Sequence, residues 1–342
     1  MKVSGLRFKA LTMGLAVAIL AGCDGVQSGF PQSTVPQSAT TLGFQSGKSW
    51  MKPDASNGDL LYVSSVSTGD VYVYSYPGGS LVGTLTGFQN VTDLCSDSDG
   101  DVFITNGYRE YSGGGYLLEY AHGGTSPIAT LKETQFAPAD CAVDSTTGNV
   151  AVANNSKDFA LFIGGTGSPV YYSTAGILRF VRFVTYDNSG NAYFSGDYGR
   201  RAAWLPKGGS AAKPFKVEEP PKGGYRDPGF GWDGTYLTDM SGCGARLFRY
   251  KAKGRTSGKP IGQVLLSGTG DCFPNRYAFR PSSGATSHDL VVVAALEDEI
   301  LFYDYPKGGN ATKMIKGLGS DGNGSVLGVT ISVAPSQSRN RK

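Results

Sequence analysis

The chain has 342 residues, 40% apolar and 17% charged, so it can bury a large core, while 50 glycines and 17 prolines predict many turns and few helices. Its formal charge of +3 arises from 31 basic and 28 acidic side chains, and three of the basic ones, Lys2, Arg7 and Lys9, lie before the first apolar run. Three more, Arg339, Arg341 and Lys342, end the chain, so the part between is slightly acidic, which excludes an electrostatic nucleic-acid binder.

Residues 1–22 read as a secretory signal: the three cations, an apolar run from Ala10 to Leu20 that is too short to span a bilayer, then small residues. The string Leu20-Ala-Gly-Cys23 resembles the bacterial lipobox. That resemblance implies cleavage before Cys23, lipidation of its thiol, and a place in the bacterial cell envelope outside the cytoplasm. The membrane would then be a partner through the N-terminal lipid, since more than one acyl chain gives stable anchoring. Asp24 resembles the inner-membrane retention signal of enterobacteria-like systems. Residues 23–47 are rich in Ser, Gln, Thr, Gly and Pro and nearly uncharged, which predicts a flexible tether.

From residue 48 a hairpin pattern repeats. Two short alternating runs flank a turn in Leu94-Cys-Ser-Asp-Ser-Asp-Gly-Asp-Val-Phe-Ile-Thr-Asn106, around residues 139–155, and in Phe183-Val-Thr-Tyr-Asp-Asn-Ser-Gly-Asn-Ala-Tyr-Phe-Ser195. The second runs begin near residues 60, 101, 149, 191, 235 and 290, the spacing of propeller blades. Third runs follow, such as Val71-Tyr-Val-Tyr-Ser-Tyr76 and Ile300-Leu-Phe-Tyr-Asp-Tyr305. Glycine turns, as in Tyr76-Pro-Gly-Gly79 and Tyr305-Pro-Lys-Gly-Gly309, lead into shorter fourth runs. Five units supply their own innermost run, around residues 92–96, 141–143, 180–186, 230–232 and 277–280. The first lacks one, and residues 326–333 have the pattern to fill that place; the alternative is that residues 48–52 do so. The expectation is an all-β, six-bladed β-propeller of four-stranded antiparallel blades over residues 48–335, closed by a C-terminal strand, with a basic tail at 336–342. Closure removes the open sheet edge.

The turn token Asp-x-x-Gly-Asn/Asp-Val, at residues 97–102 and in Asp187-Asn-Ser-Gly-Asn-Ala192, resembles that of NHL-like and related six-bladed propellers of bacterial extracytoplasmic proteins. Blades three to five depart from the stereotype, and blade six carries a long insertion. The resemblance implies an architecture and not an activity.

Four cysteines remain besides Cys23, an even number in an oxidising compartment. Counted from their turn aspartates, Cys95 and Cys141 fall on opposite strand faces, and opposite faces of neighbouring blades look at each other. Cys243 and Cys272 fall on one rim. The expected disulfides are Cys95–Cys141 and Cys243–Cys272.

No catalytic constellation stands out. His122, in a glycine turn, and His288, in the insertion of blade six, have no nucleophile or ligand partner by spacing and read as surface histidines near the outside of the ring. The loops after the second strands hold Asn106, Asn154, Asn155, Asp158, Asp197 and Asp239; of these Asn154, Asp158, Asp197 and Asp239 are candidates for an oxygen-ligand calcium site, with no other cofactor expected. The same rim carries Tyr108, Arg109, Tyr111, Tyr198, Arg200, Tyr225 and Arg226, aromatic and guanidinium side chains of the kind that supply binding energy at interfaces. With Asn154, Asp158 and Asp197 they form the candidate binding rim. The expected function is a non-enzymatic binding or scaffold module for an envelope protein, peptide or glycan. The alternative is a metal-dependent hydrolase or lyase of the lactonase-like propeller kind.

Overall fold

The computed structural model describes residues 48–107, 114–196, 201–218, 229–241, 246–252, 256–267, 276–280, 288–294, 299–316 and 326–335. They form six antiparallel blades in a ring. Blade 2 is Val91–Ser96, Val102–Gly107, Gly115–Tyr120 and Pro127–Glu133; blade 3 is Asp140–Val143, Val150–Ala153, Asp158–Phe162 and Val170–Ser173. Blade 4 runs Val181–Tyr186, Ala192–Gly196, Arg201–Leu205 and Lys213–Val217, and blade 5 runs Gly229–Trp232, Leu237–Ser241, Arg246–Tyr250 and Gly262–Ser267. Blade 6 is Tyr277–Phe279, His288–Ala294, Glu299–Tyr305 and Lys313–Ile315.

Blade 1 is built from both ends of the ring. Leu60–Ser65, Asp70–Ser75 and Leu81–Leu85 are its second to fourth strands, and Val326–Ser332 is its innermost strand, paired antiparallel through Leu60↔Ser332 and Val63↔Val329. The alternative for residues 48–52 fails. Trp50–Met51 pairs with Leu81–Leu85 on the outer edge, as a fifth strand. Two further short strands cap outer edges in parallel, Thr256–Gly258 on blade 4 and Gly309–Asn310 on blade 5.

The core is distributed over the six seams between blades. Alternate residues of one strand face opposite neighbours, so Leu60 and Tyr62 pack toward blade 2 while Leu61 and Val63 pack toward blade 6. This is why the second strands read as continuous apolar runs. The repeated turn token also has a local cause. Asp97 Oδ1 accepts the N–H groups of Asp99 and Asp101, Asp187 Oδ1 accepts those of Ser189 and Asn191, and Gly100 and Gly190 follow with φ of 87° and 80°, which only glycine adopts freely.

Cys95 and Cys141 are disulfide-bonded, with Cα atoms 5.6 Å apart, and join the inner strands of blades 2 and 3. Cys23, Cys243 and Cys272 lie outside the described residues, as do the tether and the basic tail. Both histidine placements need correction. His122 is half-buried, and its ring nitrogens lie 2.6 Å from Ser332 Oγ and 3.0 Å from the Gly58 carbonyl, so it ties blade 2 to the closing strand. His288 opens the second strand of blade 6, opposite Tyr305, where hairpin pairing and not an insertion sets its place.

Candidate functional site: the mouth and rim of the ring

Each inner strand begins where a blade-to-blade connection ends, so those connections and the loops after the second strands share one rim. At that end of the channel, Arg276 precedes the inner strand of blade 6 and reaches residues of blades 2, 3 and 4. Its Nη1 lies 2.8 Å from Asp93 Oδ2 and 3.1 Å from Asp140 Oδ2, its Nη2 donates to the Ala139 carbonyl at 3.2 Å, and its guanidinium stands 4.3 Å from the ring centre of Phe183. Asp93 is aimed inward by a register shift between Val91 and Leu94, a bulge of the kind that re-directs a side chain.

The cluster is buried and tightly held. The Asp93 and Asp140 side chains are 7% and 9% exposed. Asp93 Oδ1 accepts the Leu94 N–H, Asp140 Oδ2 accepts the Val184 N–H, and Thr105 Oγ1 bonds both the N–H and the carbonyl of Asp93. Gly328 of the closing strand presses on the same residue: a Cβ there would lie 2.6 Å from Asp93 Cα. Burial pushes the Asp93 carboxyl well above the usual range and Asp140 adds to the effect, against the pull of Arg276. Asp140 is also raised by burial, with Arg276 opposing.

The rim beside this mouth is stitched at the seam of blades 3 and 4. Asn155 donates to the Val181 carbonyl at 2.8 Å, Val181 donates to that of Ser156 at 2.6 Å, and Thr174 bonds the Lys157 carbonyl through both its N–H and its hydroxyl. Asn155 takes φ of 50°, the one positive value among described non-glycine residues. On this frame Phe180 is 45% exposed. A Cβ at Gly196 would lie 1.9 Å from the Phe180 carbonyl oxygen, so glycine there lets the connection approach the blade.

The candidate metal ligands are dispersed. Asn154 and Asp158 fall on the strand faces of Val152 and Ala160, which pack into the seam of blades 2 and 3. Asp239 lies within the second strand of blade 5, paired with Phe230 and Phe248, and not in the loop after it. Asn106 Oδ1 accepts the Gln89 and Asn90 N–H groups, a local tie between blades 1 and 2. Among the described residues no three His, Cys, Asp or Glu side chains group as metal ligands. Asn154 is 2% exposed, with neither amide atom hydrogen-bonded among the described residues. Tyr108, Arg109, Tyr111, Asp197, Tyr198, Arg200, Tyr225 and Arg226 lie outside the described residues.

Sequence reasoning missed Asp93, Asp140, Arg276 and Phe180. The available signal was a charged residue at the start of an inner strand, with Asp93 two residues before Cys95 and Asp140 one before Cys141.

No protein family matches the chain, and no curated protein matches it in sequence. Among solved structures, a chain of the nidogen/laminin complex aligns over 81% of this chain and 99% of its own length, with a TM-score of 0.59 and 13% identity. Likeness at that identity is a likeness of fold, and 1308 solved chains share it, so the fold selects no single activity. The chain is a six-bladed β-propeller.

Proposed function

We propose that the chain is a lipid-anchored, extracytoplasmic propeller of the bacterial envelope, NHL-like in its turns, that acts without catalysis as a binding module through its loop rim. The observation that carries this reading is the contrast at one end of the ring. The channel mouth is occupied by Arg276 locked to Asp93 and Asp140, while the adjacent rim presents an exposed phenylalanine on a rigid frame. A guanidinium bound to both inward carboxylates stands where a hydrolase of the metal-dependent kind would need open oxygen ligands. The lipobox-like Leu20-Ala-Gly-Cys23 supports anchoring, and the Cys95–Cys141 disulfide suits an oxidising compartment. Exposed apolar residues on the outer strands, such as Leu81, Ile128, Val170 and Met314, are spread over separate blades, which favours the rim over the side of the ring.

The test is expression of the full chain and of Cys23→Ser in a bacterial host, with labelled palmitate and fractionation, followed by affinity capture from envelope extract. The expected result is label and membrane retention lost in the variant, and a captured partner lost in Phe180→Ala. Retention without Cys23, or capture indifferent to Phe180, would remove the reading.

A further inference from the structure

An exposed tryptophan between two lysines stands where the chain enters the ring. Trp50–Met51 adds its fifth strand to the outer edge of blade 1, with Trp50 opposite Thr84 and Met51 opposite Gly83. Alternation puts Lys48, Trp50 and Lys52 on one face of that strand and Met51 on the other. Met51 packs on the apolar cluster between blades 1 and 2, so the lysines and the tryptophan face away from that seam. All three are exposed, Trp50 by 43%. Leu81, on the neighbouring strand, is 40% exposed and pairs with Tyr74, while Thr84 pairs with Tyr72. Both tyrosines pack toward blade 6, so Leu81 shares the face of Trp50.

Lysines on a sheet edge have an ordinary use, since they discourage edge-to-edge pairing. That use gives no reason for a tryptophan between them with so much apolar surface left in water. The surrounding sequence supplies one. From Gly25 to Pro53 the charged side chains are Lys48 and Lys52 alone, and Asp54, exposed in the turn after the strand, is the first acid to follow. Neither lysine forms an ion pair with a described residue. Residues 24–47 join this strand to Cys23, the cysteine of the lipobox-like string. Indole rings settle at the headgroup level of a bilayer, and lysines lay their stems along apolar surface while the ammonium groups reach lipid phosphates.

We propose that the outer edge of blade 1 is a membrane-docking surface, with Trp50 and Leu81 at the headgroup level of an anionic bilayer and Lys48 and Lys52 on lipid phosphates. This rests on the lipid anchor of the proposed function and adds how the ring stands on the membrane. A lipid at Cys23 makes docking of this edge an intramolecular step, so a small patch suffices. The outer edge of a blade lies on the circumference of the ring, so docking by it sets the channel axis along the bilayer plane. Both ends of the channel, and the loop rim with them, stay open to a partner.

The experiment uses the full chain, lipidated in a bacterial host and reconstituted into phosphatidylcholine vesicles with and without phosphatidylglycerol. Its readout is quenching of tryptophan emission by brominated acyl chains. The other tryptophans, Trp204 and Trp232, pack in the seam of blades 4 and 5. Quenching is expected in the anionic vesicles, falling as salt rises, and is expected to vanish in Trp50→Phe. Lys48→Glu combined with Lys52→Glu is expected to weaken docking by about tenfold or more while the chain stays on the vesicles. The melting temperature should not change, because both side chains are exposed. A chain that sediments with the vesicles yet shows no quenching would overturn the proposal and leave the anchor standing, with the lysines as edge guards. Quenching as strong in phosphatidylcholine alone, or indifferent to the double reversal, would overturn it too, because no anionic headgroup is then read. A chain with neither lipid label nor vesicle association would remove the anchor, and the docking with it.

Discussion

Arg276 decides whether the mouth of the ring is a lock or a hole. Its guanidinium bonds two carboxylates that burial would otherwise leave facing each other, and it stacks on Phe183. Replacing it with alanine strands two buried acids, a change of the class that costs about 3–5 kcal/mol. Arg276→Lys keeps the charge but loses the planar fork and the stacking, so it should recover only part. The proton balance gives an independent check. A carboxyl whose folded value is raised above its unfolded value adds stability that is full below the unfolded value, about 3.9 for aspartate, and is lost as pH rises through the folded value. Asp93→Asn imitates the protonated acid. It is expected to change stability little in acid and to flatten part of the loss toward alkaline pH, the remainder coming from other raised carboxyls such as Asp97 and Glu119. Urea melts of both proteins from about pH 5 to about pH 9 read this directly. Curves that stay parallel would show that Asp93 takes up no proton on folding.

At the scale of the element, the closing strand is the piece on which the others depend. Val326, Val329 and Ile331 fill the seam between blades 1 and 6 together with Leu61, Val63, Val291 and Phe302, and Ser96 Oγ of blade 2 donates to the Ile331 carbonyl at 2.9 Å. Removing residues 326–342 would open that seam and leave Leu60–Ser65 with an unpaired edge, so the product is expected to aggregate. Removing residues 336–342 alone should leave melting unchanged. A cooperative monomer from the longer truncation would show that the ring does not need its clasp. The second and third strands, and this closing one, were legible because both of their faces are buried and the apolar pattern is dense. The rim ends of the inner strands were not. Alternation places residues 180–186 in one continuous strand, but a bulge at Arg182 breaks it, and another at Asp93 turns a carboxylate inward against the pattern. The edge strands Trp50–Met51, Thr256–Gly258 and Gly309–Asn310 were illegible for a different reason. Two or three residues are too few for a period, and their pairing is decided by what lies beside them.

Across the described residues, stability is shared among six seams, each with its own apolar cluster. A ring of that kind opens at its weakest seam, and covalent reinforcement matters where a seam carries unfavourable polar burial. The seam of blades 2 and 3 is such a place. It holds the unbonded amide of Asn154 and the buried Glu133, one of whose carboxylate oxygens has no hydrogen bond, and it ends at the Asp93–Asp140 pair. Cys95–Cys141 crosses this seam, two residues beyond Asp93 and one beyond Asp140, with a sequence separation of 46. Closing a loop of that length stabilises by about 4 kcal/mol on the chain-entropy account. Cys95→Ala combined with Cys141→Ala is therefore expected to lose about that much in guanidinium melts under oxidising conditions, and reductant should bring the wild type toward the variant. The pH dependence of the variant should run parallel to that of the wild type, because on this account the cross-link constrains the unfolded chain and leaves the folded-state carboxyls of Asp93 and Asp140 as they were. A variant as stable as the wild type at every pH would place the weak seam elsewhere in the ring.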